Sequence, residues 1–237
     1  MTSPRQHPIR LGHQLALNDG FGERWTRNLF AVFLGGRAEE LGRLDRLAGD
    51  GDFGNNISAA LDRARRAAAA EEAGRLQGYP AWLTCVSRGF LGTGGTSGPL
   101  FGMFFRDLAR CTTSGEPTLT ELSAGLSAGV ATVQRYGGAE VGHKTMVDAL
   151  VPAARTLESQ LSAAAAPDEA LGRTALAAVE GARSTASLIA RRGRASYVGE
   201  VARGVLDPGA AAAAIILQAA AVAQAGGDGV DTAWIEV

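Results

Sequence analysis

The sequence predicts an all-α protein of eight helices, running up and down as an antiparallel barrel or bundle with its chemistry in the loops at one end. Three observations predict it. Alanine makes up roughly a fifth of the chain and leucine is common, while aromatic residues are only 6%. Runs of alternating β-branched residues are missing, so helix is favoured over strand almost everywhere. Apolar positions recur at helical spacing between glycine and proline breaks. At 237 residues the chain can bury one substantial core. The division expected is an N-terminal extension over 1–20, one helical domain over 21–226 and a tail over 227–237.

The first helix is expected from Gly22 to Leu47, where Trp25, Leu29, Phe30, Phe33, Leu41 and Leu44 share a face. Asn56 to Glu72 is the second, and Ala81 to Phe90 the third after the break at Gly78, Tyr79 and Pro80. The fourth begins at Pro99 and runs through FGMFFRDLAR. SGEPT at 114–118 opens the fifth, which ends at Tyr136 before two glycines. Lys144 to Ala163 and Pro167 to Arg192 are the sixth and seventh. The eighth starts at Pro208, behind an Asp207 cap, and ends near Ala225. The glycines of GGDGVDTAWIEV suggest a mobile tail. The alanine-rich stretch at 210–225 is too short and too weakly apolar to span a bilayer, and reads as a buried helix.

Short connections between such helices favour antiparallel neighbours. Loops one-to-two, three-to-four, five-to-six and seven-to-eight must then lie at the same end. These are the four glycine-rich connections of the chain: GDGDFGNN at 49–56, GTGGTSGP at 92–99, GGAEVGHKT at 137–145 and GRASYVGEVARGVLDPG at 193–209. Their convergence follows from connectivity alone.

The first of these loops carries Asp45, Asp50 and Asp52 on a curl made sterically cheap by Gly49, Gly51 and Gly54. Magnesium takes hard oxygen ligands, usually a few carboxylates plus water and substrate oxygens. Taken alone, the DGD triplet also reads as a solvated turn before an asparagine cap. An EF-hand is excluded, because its sixth position is Asn55 and its twelfth Leu61. GTGGTSGPLFG offers an anion cradle, with five glycines in eleven residues, hydroxyls on Thr93, Thr96 and Ser97, and a helix starting at Pro99. Helix capping explains its Ser-Gly-Pro part equally well. It is not a Walker A loop, since GHKT at 142–145 has histidine where that motif needs lysine.

Composition excludes other classes. The formal net charge is −1 and the arginines are dispersed, so neither nucleic acid nor an anionic membrane surface is an expected partner. Cys85 and Cys111 stand apart without metal-ligand spacing, which suits a reducing cytoplasm and no zinc site. The N-terminal MTSPRQHPIRLGHQ lacks the apolar segment of a signal peptide. Of 23 basic residues only Lys144 is a lysine, and codon bias toward arginine accounts for the imbalance without saying why this one remains.

Taken together, LDRLAGDGDFGNN, GGTSGPLFGMFF, GHKTMVDALVPA and GRASYVGE followed by DPGA resemble the nucleotide-binding L subunit of dihydroxyacetone kinases. The resemblance covers about residues 20 to 225. It implies an eight-helix antiparallel barrel that binds ADP or ATP through two Mg²⁺ ions. It makes Asp45, Asp50 and Asp52 the metal ligands. Phe53, Gly54, Asn55, Asn56, Thr96, Ser97, Gly137, Met146, Arg194, Asp207 and Gly209 become the nucleotide-contacting residues. It further implies a separate K-type subunit that holds the ketose, without which this chain is inactive, a homodimer or hetero-oligomer, and either ATP or a phosphocarrier protein as phosphate source. Three departures stand out: Phe53 where the family has histidine, His143 where it has aspartate, and GEVARGVLDPG without the usual arginine-serine and histidine. They leave room for two other readings, a non-catalytic nucleotide sensor or regulator-binding paralogue, and a magnesium-dependent phosphatase or transferase acting alone.

Overall fold

The computed structural model describes residues 16–71, 76–113, 115–197 and 199–235. Among them the chain is helical, with a lone β-bridge between Ala16 and Thr118 and no strand. The helices are α1 (Phe21–Val32), α2 (Ala38–Ala48), α3 (Phe53–Glu71), α4 (Gly78–Leu91), α5 (Ser97–Ala109), α6 (Leu119–Gly137), α7 (Val147–Ser162), α8 (Pro167–Ser184) and α9 (Pro208–Gln224). From α2 onward each helix packs against the next, and α9 closes the ring against α1. Two bonds pin that closure: the Trp25 indole N–H donates to the Ile216 carbonyl at 2.8 Å, and Arg24 Nε donates to the Ala223 carbonyl at 3.0 Å.

The core is a chain of aromatic rings inside the ring of helices. Phe21 and Tyr79 stack at 6.0 Å, Trp25 meets Phe105 at 6.4 Å, and Phe90 stacks on Phe105 at 5.7 Å. α9 is buried over 14 of its 17 residues, which is what a helix apolar on every face requires. Its alanines let α7, α8 and α1 all approach it. Among the described residues no helix is long and apolar enough to cross a membrane. The termini follow local signals where those are strong. Thr118 and Glu121 form a reciprocal capping box at the start of α6, and Pro167 and Pro208 open α8 and α9.

Four expectations are corrected. The first predicted helix is bent into two segments, α1 and α2, by a π-helical turn over residues 33–37 in which Gly36 takes φ 126°, ψ −20°; a Gly-Gly pair is a common site for such a kink. α7 starts at Val147 rather than Lys144, since Lys144 sits at φ 59° and cannot continue a right-handed helix. α8 ends at Ser184 rather than Arg192. There the Thr185 hydroxyl donates to the Ala182 carbonyl at 2.5 Å, and Leu188 is already extended. The tail is not loose: Trp234 and Ile235 are buried, and Trp234 Nε1 donates to Gln218 Oε1 at 3.0 Å. At the other end, Leu17 is buried and its N–H donates to the Pro117 carbonyl at 2.8 Å. Residues 1–15 lie outside the described residues.

Candidate functional site

At one end of the ring the four glycine-rich loops line one cleft. Four helices begin there. Asp52 and Phe53 stand at the start of α3, Thr96 and Ser97 at the start of α5, Met146 and Val147 at the start of α7, and Asp207 and Pro208 at the start of α9. The first backbone N–H groups of a helix have no partner within it, and its dipole is positive at that end. Four such ends around one cavity favour phosphate-like anions, although the Phe53 and Ala210 N–H groups are taken by Asp45 and Asp207.

Carboxylates face the same space. Asp45, on the last turn of α2, is buried, and its Oδ2 accepts the Phe53 N–H at 3.0 Å. A Cβ on Gly49 would overlap Asp45 Oδ1, so that glycine is what allows the chain to turn back over the carboxylate. Asp50 and Asp52 are exposed at the rim, and all three aspartates line the cleft. Among the described residues no three His, Cys, Asp or Glu side chains are drawn together tightly enough to hold a metal. The donors are nevertheless hard oxygens beside anion-binding helix ends, which is the chemistry magnesium takes when bridging carboxylates to phosphate oxygens.

The opposite wall is polar and buried. Asp207 caps α9 by accepting the Ala210 N–H at 2.7 Å, and its own N–H donates to Thr185 Oγ1 at 2.9 Å. Burial pushes its carboxyl up to about 7, opposed by the Ala210 N–H and Lys144 and reinforced by Asp148 and Asp45. Burial lowers the Lys144 ammonium, while Asp207 and Asp148 pull it back up. Asp148 ties the turn before α7, accepting the Gly142 N–H at 2.5 Å and the Thr145 N–H at 2.7 Å.

Of the residues expected in the site, the cleft gathers Asp45, Asp50, Asp52, Phe53, Asn56, Thr96, Ser97, Gly137, Met146, Asp207 and Gly209. Gly54 and Asn55 do not line it. Gly54 faces α2, where a Cβ would overlap the Ala38 carbonyl oxygen and lie 2.8 Å from Gly42 Cα. Asn55 turns to an outer groove with Phe30 and Leu34. The Arg194 side chain lies outside the described residues, and Arg192 and Gly193 line the cleft. The Thr93 hydroxyl is spent inside the protein, donating to the Gly89 carbonyl at 3.0 Å and accepting from Arg63 at 3.0 Å. Phe53 stands edge-on to Phe101 at 6.5 Å. His143 sits off the cleft, where its Nδ1 accepts the Glu140 N–H at 3.2 Å. Sequence reasoning placed GGAEVGHKT at 137–145 among the loops of the site without naming Lys144 or Thr145 as lining residues, and it missed Val147 at the start of α7. It also missed Leu100 and Val133, apolar wall residues one turn inside α5 and α6.

Comparison with known proteins gives a consistent result. The DAK2 domain profile matches residues 47–222. L-erythrulose 1-kinase of Mycolicibacterium smegmatis is 38% identical over 190 residues, covering 76% of this chain and 31% of that protein. The chain thus spans about a third of the length of that relative. A shorter relative, the ADP-binding subunit of PEP-dependent dihydroxyacetone kinase 1 of Listeria innocua, is 32% identical over 205 residues, covering 86% of this chain and 91% of the other. The solved dihydroxyacetone kinase of C. freundii in complex with AMP-PNP and Mg²⁺ superposes with a TM-score of 0.58 at 27% identity, over 93% of this chain and 37% of that one.

Proposed function

The chain belongs to the DAK2 domain family, and on that premise we propose that it is the nucleotide-binding subunit of a dihydroxyacetone-type ketose kinase. The single observation that carries this reading is the meeting of four helix N-termini with three aspartates at one cleft. Neither half suffices alone. An anion held by the helix ends would lie across the cleft from the carboxylates of Asp45, Asp50 and Asp52, whereas a nucleotide bound with magnesium satisfies both. Asp45, Asp50 and Asp52 would hold two ions. Magnesium there would supply neutralisation of phosphate charge. Thr96 and Ser97, with the N–H groups opening α5, orient the phosphates, while Met146, Gly137 and Gly209 wall the remainder of the nucleotide. The protein does little covalent chemistry in such a site and acts by positioning and charge.

The ketose would come on a K-type partner docked over the loop end. Five of the six large apolar side chains most exposed among the described residues stand there: Leu47, Leu91, Tyr136, Val141 and Tyr197. They end α2, α4 and α6 or lie in the loops around the cleft mouth. Exposed apolar groups concentrated on one face mark an interaction surface. The phosphate would be supplied by ATP exchange or by a phosphocarrier protein that recharges bound ADP.

Native mass spectrometry of the purified chain is expected to show ADP and magnesium carried along, and calorimetry to show MgADP binding. A bare mass together with no binding heat would sink the proposal. Tyr197→Asp, a change at a side chain 91% exposed, is expected to weaken association with a K-type subunit at least tenfold while MgADP affinity stays constant. A second reading, a nucleotide-binding paralogue without catalysis, draws on Phe53, which brings carbon to the cleft where the family brings imidazole. Turnover of dihydroxyacetone once a K-type subunit and a phosphate donor are added would exclude it.

A further inference from the structure

Lys144 is the single lysine of the chain and is 1% exposed. Its backbone takes φ 59°, a left-handed conformation unfavourable for a residue with a Cβ and held only where surrounding contacts over-determine it. Those contacts are visible. Nζ donates to the Thr185 carbonyl at 2.5 Å and to the Val205 carbonyl at 2.5 Å. The first carbonyl lies just past α8, the second just before α9. Thr185 in turn accepts the Asp207 N–H, and Asp207 caps α9. The Gly204 N–H donates to the Ala186 carbonyl at 2.7 Å, and the Arg191 N–H to the His143 carbonyl at 3.1 Å. Three segments, 142–146, 185–191 and 204–209, are thus stitched together around one ammonium, with Asp148 and Asp207 near it.

We propose that Lys144 is a positioning residue that sets the α7 and α9 N-termini against each other and thereby shapes one wall of the cleft. An ammonium is suited to this. It is compact and offers three donors that can converge on two carbonyls, whereas the flat guanidinium fork matches carboxylates and phosphates. A chain that uses arginine at its other 22 basic positions keeps lysine where arginine does not fit. The backbone part of this inference stands on the ligand-free geometry. Its consequence for ligand rests on the nucleotide reading above.

The test is Lys144→Met, which keeps the side-chain volume and deletes the donors, beside Lys144→Arg. In ligand-free Lys144→Met, amide hydrogen exchange is expected to speed up at least tenfold in 142–147, 185–191 and 204–210, with α1 and α4 unchanged. The Kd for MgADP is expected to rise at least tenfold, without rescue by arginine. Leu83→Ala, in buried α4 away from the cleft, is the control: it lowers Tm and leaves the Kd alone. Should the methionine variant fail to fold, the wild-type chain still decides the matter. With ¹⁵Nζ-lysine it yields one side-chain ammonium signal, expected to exchange slowly with water because two donors are held. Rapid exchange of that signal, or unchanged loop amides in Lys144→Met, would overturn the inference. Failure of the wild type to bind MgADP would instead overturn the nucleotide reading and leave the exchange result standing.

Discussion

Asp50→Ala is expected to raise the Kd for MgADP about a hundredfold while Tm stays within about 2 °C of wild type. The affinity change corresponds to about 3 kcal/mol, the scale of removing one carboxylate from a charged site. The stability change is small because Asp50 is exposed on the rim of the loop, and exposed substitutions seldom cost more than about 0.5 kcal/mol. Asp45→Ala would be a poorer test. It removes the acceptor of the Phe53 N–H and so loosens the start of α3 as well as the cleft. Chelating magnesium from the wild type should reproduce the Asp50→Ala result, since both leave phosphate and carboxylates unbridged. Titration calorimetry with ADP, with and without magnesium, checks both. An Asp50→Ala chain that binds MgADP like wild type would remove the aspartate loop from the site.

Gly54→Ala is expected to act the other way round, on stability before affinity. Its Cβ would overlap the Ala38 carbonyl and press on Gly42, both on backbone of α2, so no side chain can rotate aside. Overpacking against rigid backbone costs about 3 kcal/mol or more, a fall in Tm of roughly 6–12 °C for a chain of this size. Asn55→Ala, one residue on, is exposed on the outer groove and should change neither Tm nor MgADP affinity. The pair is read by thermal unfolding and calorimetry on the same samples. Gly54→Ala with wild-type Tm would mean that α2 and α3 do not meet at this contact.

These neighbours show where sequence reading stops. GDFGNN placed residues 53–56 beside the cleft as a block, yet only Phe53 and Asn56 line it. On a helix start, successive residues point in different directions, and which of them faces the ligand depends on how α3 docks onto α2. Thr93 is the same case: a hydroxyl in a glycine-rich loop, turned inward by Arg63 and the Gly89 carbonyl. Arg63 lies 30 residues away, and nothing near Thr93 in the chain announces it.

The sequence by itself determined the helical class, the helix starts after SGEPT, at Pro167 and at the Asp207 cap, the burial of α9 and the gathering of four glycine-rich loops at one end. Each of these depends on signals spanning a few residues, or on the parity of connections in an up-and-down fold. Only the tertiary structure decided the π turn at 33–37, the early end of α8, the docking of Trp234 and the partners of Lys144. The last two rest on contacts 16 to 61 residues apart, and periodicity carries no information about which distant carbonyl or helix will be there to receive them.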